Sequence, residues 1–459
     1  MSALAEPAHP SPDAVARATP ADRDRFADLL RAGSLLVVIL GHWLMVVVTP
    51  DGTVSNALTI VPSLQPLTWL LQVMPLFFVV GGVAHSYALE SVDRRGGSRR
   101  GRYAAFLGRR AARLLRPTLA FLAVWVVLGV VAHAAGLTSL PGADGRLARD
   151  ALVMVPQLLW FVGIYLGVCA CAPAMRRLHQ RLGLYAAVLL ALGAVLVDVV
   201  RFTVPALGLV GNLNFALVWL ALHQLGFAWR DGMLTVSRGW AMLVGGYGVM
   251  VVLITVGPYP TSMVGLPGEA VSNMAPPTVA LLAQGVGIIG LAVVLRGPAA
   301  RLLARPAVWA AVVRVAPFAM TAFLWHLTAL MVVELGRRAI GLGQPPVASL
   351  LWWATRPGLF LLLAVITAAL VATFARFDRG PSRNAGTVQE RRSWPDPLAG
   401  VAALVVFFGI LMVSIVGVDL LGNRPAFFLV GDITPAVGFV VLALGLLLLR
   451  AARPHVKGA

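Results

Sequence analysis

An arginine and a histidine lie in one apolar stretch near the start of the chain, R-A-G-S-L-L-V-V-I-L-G-H-W from Arg31 to Trp43. On an α-helix the steps from Arg31 to His42 end roughly 20° past three full turns, after a rise of about 16 Å. The two side chains therefore share a face, Arg31 near a membrane surface and His42 near mid-depth. Ionisable groups inside a membrane mark functional sites. Imidazole takes and returns a proton near neutral pH, which suits general-base catalysis on a hydroxyl. A hydrogen-bonded histidine joining two helices is the other role open to His42. Arg31 would fix an anionic group below it, or else snorkel to the boundary.

Three further stretches carry chemistry-bearing residues. In R-R-A-A-R-L-L-R-P, Arg109 to Pro117, Arg110, Arg113 and Arg116 recur every three residues and share a helical face. Arginine forks match phosphate oxygens bidentately, although charge that sets membrane topology also explains arginines here. In F-L-W-H-L-T, Phe323 to Thr328, His326 lies near mid-depth with Glu334 two turns above it. The pair would form a proton relay, or His326 would bond a neighbouring helix. M-P-L-F-F-V-V-G-G, Met74 to Gly82, combines a bending proline with glycines that permit close helix approach. It reads as a packing motif that shapes a cavity, and Trp160, Phe161 and Tyr165 read as packing or interfacial aromatics that could line the same cavity. His85, His223 and Asp198 are assigned structural roles. Cys169 and Cys171 point to different sides of a helix, so neither a disulfide nor a metal site follows.

The elements that must position these residues are membrane helices. The chain has 459 residues, 59% hydrophobic and only 12% charged, against about 25% charged in soluble domains. Apolar runs of about 20 residues recur throughout, where a barrel would alternate in ten-residue segments. The fold class is all-α, a polytopic transmembrane bundle. Twelve spans are expected at about 29–49, 67–89, 114–135, 151–173, 184–201, 212–229, 239–257, 278–296, 315–336, 349–374, 398–419 and 433–450.

The net charge of +18 does not point to nucleic acid, because the arginines sit in short loops as topology signals do. One set of loops holds the run from Arg94 to Arg116, then Arg176, Arg177 and Arg181, Arg230 and Arg238, Arg296 to Arg314, and Arg376 to Arg392. The opposite set holds only Arg146, Arg149, Arg201, Arg337, Arg338, Arg356 and Arg424. This asymmetry puts both termini in the cytoplasm of a plasma-membrane protein.

Residues 1–28 are polar and Pro/Ala-rich, lack signal-peptide features, and are expected to form a mostly disordered cytoplasmic tail. A membrane domain of ten spans follows at 29–376. A polar Pro/Gly-rich linker at 377–397 separates it from two further spans within 398–451 and a cytoplasmic tail at 452–459. The outward loop 258–277 is free of Lys and Arg and dense in Pro and Gly. It is expected to form ordered turns, either covering an acceptor site or simply connecting two spans. No internal repeat is visible, which weakens an inverted-repeat transporter.

Together these residues resemble acyltransferase family 3, a family of integral membrane proteins. Arg31 and His42 match the family's paired Arg and His of the first helix. Arg110 and Arg113, or Arg113 and Arg116, match its R-x-x-R element before the third helix. The stretch 76–82 looks like its F-F-x-x-S-G element, with Val80 or Gly81 where a serine is common. The resemblance spans about residues 25–375 and implies a ten-helix unit, with the last two spans outside it. It implies acyl transfer, often O-acetylation, from cytoplasmic acyl-coenzyme A, acetyl-coenzyme A in the first instance, to extracytoplasmic carbohydrate or lipid-linked acceptors. No permanently bound cofactor or metal is implied. Arg31, Arg110, Arg113 and Arg116 would hold the coenzyme's phosphates. His42 would act as general base or be acylated itself, and His326 joins it as a catalytic residue. Membrane lipid and a carbohydrate or glycolipid acceptor are the other expected partners. A proton-coupled transporter of lipid or glycan is the main rival reading, with His42, His326 and Glu334 carrying protons; a silent membrane scaffold is a third.

Overall fold

The computed structural model describes residues 11–20, 23–94, 101–377 and 396–451. The expected tail at 452–459 and nearly all of the expected linker at 377–397 lie outside the described residues.

The long helices are α1 (Arg25–Met45), α2 (Met74–Arg94), α3 (Arg102–Ala134), α4 (Gly142–Gln157), α5 (Leu159–Leu182), α6 (Tyr185–Thr203) and α7 (Asn214–Arg230). They continue with α8 (Val236–Val256), α9 (Val279–Leu303), α10 (Ala319–Ala339), α11 (Leu350–Phe374), α12 (Asp396–Val416) and α13 (Pro435–Ala451). Among the described residues, 11 helical segments are long and apolar enough to cross a membrane, with α4 and α5 counted as one. The expected twelfth span is α13, whose 17 residues lie at the short end of the crossing range.

Local chemistry sets the helix starts. The Asp24 carboxylate accepts from the amide of Ala27 at 3.0 Å and caps α1. Thr235, Thr278 and Ser349 cap α8, α9 and α11 in the same way. Pro75 sits in the first turn of α2, where its missing N–H costs nothing. The expected bend in the second span is therefore a break at Gln72 and Val73, between a short helix Leu67–Leu71 and α2. The 33 residues of α3 rise about 50 Å, more than the roughly 30 Å apolar layer. Its arginines all lie in the first half. In the segment expected to be disordered, residues 12–17 form a helix capped by Ser11, and Thr19 accepts from the Trp309 indole at 2.7 Å.

At the centre, α2 buries every residue from Met74 to Val83. It crosses α7 at a pair of glycines. A Cβ on Gly226 would lie 2.1 Å from the Val79 carbonyl oxygen, and one on Gly82 would lie 2.2 Å from that of His223. Only glycine lets the two backbones touch here. Towards the outside, Leu192 and Leu196 of α6 and Val244 and Val252 of α8 are all more than half exposed. Such a belt suits contact with lipid tails. Helices α12 and α13 pack as a hairpin, with α12 against Gly163 and Gly167 of α5.

The loop at 258–277 is ordered by side-chain hydrogen bonds, as its composition predicts. Asn273 donates to the carbonyls of Pro260 and Ser262, Gln72 to that of Met263, and Trp69 to that of Thr261. Buried Asp198 anchors its ends by accepting from Tyr259 at 3.1 Å and the Val279 amide at 2.8 Å, which gives it the structural role expected.

Two antiparallel ribbons cap helix ends: β1 (Val46–Val48) with β2 (Val54–Asn56), and β3 (Ala426–Phe428) with β4 (Gly431–Ile433). In the first turn, the hydroxyls of Thr49 and Thr53 donate to Asp51 at 2.5 and 2.6 Å and hold its carboxyl down to about 2, from an ordinary 3.8. A lowered folded value means that the stabilisation is present above the unfolded value and is lost as pH falls through the folded one. Amide exchange in this ribbon should therefore quicken as pH falls from about 4 to about 2, once intrinsic rates are divided out. In Asp51→Asn that dependence should vanish; an unchanged profile would assign it to another carboxylate.

Candidate functional site

The centre of the bundle brings together the two histidines that the sequence places 284 positions apart. His42 Nδ1 lies 2.8 Å from His326 Nε2, and their rings are parallel within 7° at 5.0 Å between centroids. The contact joins α1 to α10 and is reinforced by the Trp43 indole, which donates to the His326 carbonyl at 3.1 Å. Leu35, Ile39 and Trp43 form the buried stripe of α1 that makes this approach possible.

Hydrogen bonding decides the tautomers. His326 Nδ1 is 2.6 Å from the Phe323 carbonyl oxygen, which only accepts, so Nδ1 carries the proton. In a neutral ring the other nitrogen is then an acceptor. His326 Nε2 therefore accepts from His42 Nδ1–H, leaving the lone pair on His42 Nε2. The ring's hydrogen bond among the described residues is the one at Nδ1. The arrangement is a base oriented by a second group, as in a hydrolytic triad with a neutral imidazole in place of the carboxylate.

The carboxylate expected to serve His326 is committed elsewhere. Glu334 accepts from Arg337 at 2.5 Å, from Arg338 at 3.1 Å and from Gln344 at 3.0 Å. His42 is thus the hydrogen-bonded side-chain partner of His326, and the proposed His326–Glu334 relay is not formed.

Arginines gather at the other end of the site. Arg31 contacts Asp28 at 3.0 Å and lines a cavity of about 240 Å³ with Val80, Val83, Ala84 and Tyr87. Arg110 donates to the Ala84 carbonyl at 2.8 Å, which turns its guanidinium toward the same wall. Arg113 lies within electrostatic reach of both Arg110 and Arg31. Like charges held this close repel one another, and a bound anion relieves that repulsion. Arg116 is half-buried on the same helix but is not among the groups acting on Arg113 or Tyr165.

Tyr165 connects the two ends. Arg31, Arg110 and Arg113 all act electrostatically on it. Gly81 leaves room for its ring: a Cβ there would stand 3.1 Å from the phenol oxygen. From Tyr165 an aromatic row runs through Phe161 (5.7 Å) and Phe323 (5.5 Å) to His326 (5.9 Å). The sequence marked Tyr165 only as a cavity-lining aromatic; its place beside the arginines needed the fold.

A second histidine pair lies deeper. His85 Nδ1 is 2.9 Å from His223 Nε2, and Cys169 Sγ is 3.2 Å from His85 Nε2. All three are fully buried and tie α2, α5 and α7 together, which matches the structural role assigned to the two histidines. Cys171, two positions on, is exposed.

No curated protein and no solved structure matches the chain. A family model described as an acyltransferase domain matches residues 24–376. The match takes in α1 to α11, with His42, His326, Arg31, Arg110, Arg113 and Arg116, and stops before α12. With well over half of its length matched, the chain belongs to acyltransferase family 3 and is a membrane acyltransferase.

Proposed function

We propose that this protein moves an acyl group, acetyl in the first instance, from cytoplasmic acyl-coenzyme A to a hydroxyl of an extracytoplasmic or lipid-linked carbohydrate. The observation that carries the reading is the free Nε2 lone pair of His42, set by the His42–His326–Phe323 chain of hydrogen bonds. The arginine group of Arg31, Arg110 and Arg113 supports an anionic donor. The charge asymmetry of the loops favours a cytoplasmic position for that group and for both termini, in the plasma membrane.

In this mechanism the donor's phosphates engage the arginines and its thioester reaches along the Tyr165–Phe161–Phe323 row towards the histidines. His42 Nε2 takes the proton of the acceptor hydroxyl as the oxygen attacks the thioester carbonyl. His326 Nε2, accepting from Nδ1–H, steadies the imidazolium. The tetrahedral intermediate collapses with cleavage of the C–S bond, and the thiolate leaves with the proton that His42 held. Direct general-base transfer is favoured over an acyl-histidine, since it needs one approach rather than two.

The experiment is turnover of acetyl-coenzyme A by the purified full-length protein, followed as free thiol, with native envelope lipids and glycans supplied as acceptors. Arg31→Gln and Arg113→Gln should each raise KM for the donor by about tenfold while kcat changes little, because they hold ground state and transition state alike. Absence of coenzyme A binding, combined with substrate movement driven by a proton gradient, would replace this reading with a transporter.

A further inference from the structure

A second cavity, of about 450 Å³, adjoins the first and shares Arg23, Asp24 and Tyr87 with it. Its size falls in the roughly 300–1,000 Å³ range of small-molecule sites. Four guanidinium groups face it, from Arg23 and Arg25 at the start of α1, Arg230 at the end of α7, and Arg296 in α9, with Asp24 the carboxylate in its wall.

These arginines are held in place by aromatic rings. Arg230 lies over Tyr87 at 4.3 Å, Arg25 over Trp309 at 5.0 Å, and Arg296 over Trp229 at 5.1 Å. A guanidinium stacked by its face keeps its N–H donors along its edge, the geometry that phosphate oxygens accept. Asp24 pairs with Arg296 at 3.1 Å while also accepting from the Ala27 amide at the α1 cap and from the Trp229 indole at 3.0 Å, and Arg25 donates to the Leu303 carbonyl at 3.1 Å, so the one carboxylate in the wall stands against four guanidinium groups. Arg230 meets Glu90 only at 3.6 Å, and its Nε is buried without a hydrogen-bond partner among the described residues. A buried unmet donor in a wall of cations marks a place for an anionic acceptor.

We propose that this cavity holds the phosphates at the nucleotide end of the acyl donor, with Arg25, Arg230 and Arg296 as ligands and Tyr87 at the passage towards Arg31. The inference rests on the donor being acyl-coenzyme A. The adjoining cavity gives the reason for a nucleotide rather than a lipid headgroup. The two cavities share Arg23, Asp24 and Tyr87, so a ligand anchored here adjoins the wall of Arg31, Val80 and Ala84, which suits a long tether ending in a thioester.

The test uses the full-length protein in nanodiscs of zwitterionic lipid, titrated with coenzyme A and with adenosine 3′,5′-bisphosphate, which lacks the tether and the thiol. Arg230→Gln and Arg296→Gln should each weaken both probes by about tenfold, and the pair by about a hundredfold, given the worth of a charged hydrogen bond. Arg450→Gln, an exposed arginine on α13, should leave both unchanged. Arg230→Lys keeps the charge without the fork and should fall between; it also serves if Arg230→Gln fails to fold, as checked by thermal unfolding. Wild-type affinity of the Gln variants for both probes overturns the site. So does failure of the wild type to bind the bisphosphate at millimolar concentration. So does an effect of the variants confined to retention of phosphatidylglycerol, which would make this a lipid site. Bisphosphate binding that responds to the variants, without any turnover of acetyl-coenzyme A, keeps the cavity and rejects the donor reading. Turnover whose KM ignores the variants does the reverse.

Discussion

Replacing His42 by alanine is expected to remove acyl transfer while leaving donor binding intact. General-base catalysis contributes about 10²–10⁴-fold in rate, so release of thiol from acetyl-coenzyme A should fall by that factor at saturating donor. Coenzyme A affinity should stay near that of the wild type, because the arginine group lies at the far end of the aromatic row from His42. His326→Ala should lower kcat too, but less. It removes the acceptor for His42 Nδ1–H, so the imidazole loses its fixed tautomer while keeping its base. The two act as a unit, so the double variant should be no slower than His42→Ala alone. Multiplicative losses in the double variant would show that the histidines work separately, and full activity of His42→Ala would end the mechanism.

Gly226→Val is expected to be the most damaging single change to the fold. Its Cβ would sit 2.1 Å from the Val79 carbonyl oxygen and 2.7 Å from the Gly82 Cα, both backbone atoms that no rotamer change can move. Overpacking a core costs about 1–3 kcal/mol where side chains can yield, and more is expected where two helix backbones must part. The contact between α2 and α7 also seats Phe78 on Trp219, with centroids 4.4 Å apart. Separating the helices would therefore disturb the wall that carries Val80 and Ala84. The variant should fail to accumulate in membranes, or melt far below the wild type in detergent. Gly245→Ala, where nothing stands within 4 Å of the added carbon, should be tolerated. Equal thermal midpoints for wild type and Gly226→Val would show that the helices do not touch there.

The helical membrane class can be read directly from composition, because apolar runs with arginines between them leave few other folds open. It also placed Arg31 and His42 on one helix face, since both belong to one span and helical period is a local property. The family was legible from the order of the same short motifs. Glu334 shows the limit of depth-based reading: it is expected to serve His326, yet it stands three and four positions before Arg337 and Arg338, the spacing of paired charges on a helix, and those local pairs are the ones that form. The rest required the fold. The partner of His42 comes from a helix 284 positions away, and no periodicity links two spans so far apart. Arg230 and Arg296 read in sequence only as charges at span ends, and Arg23 and Arg25 fall within the stretch expected to be a disordered tail. The folding of α1, α7 and α9 around Tyr87 turns them into one cationic wall. A side chain's type and its position on its own helix are set locally, whereas the groups it faces across a cavity depend on which helices pack together.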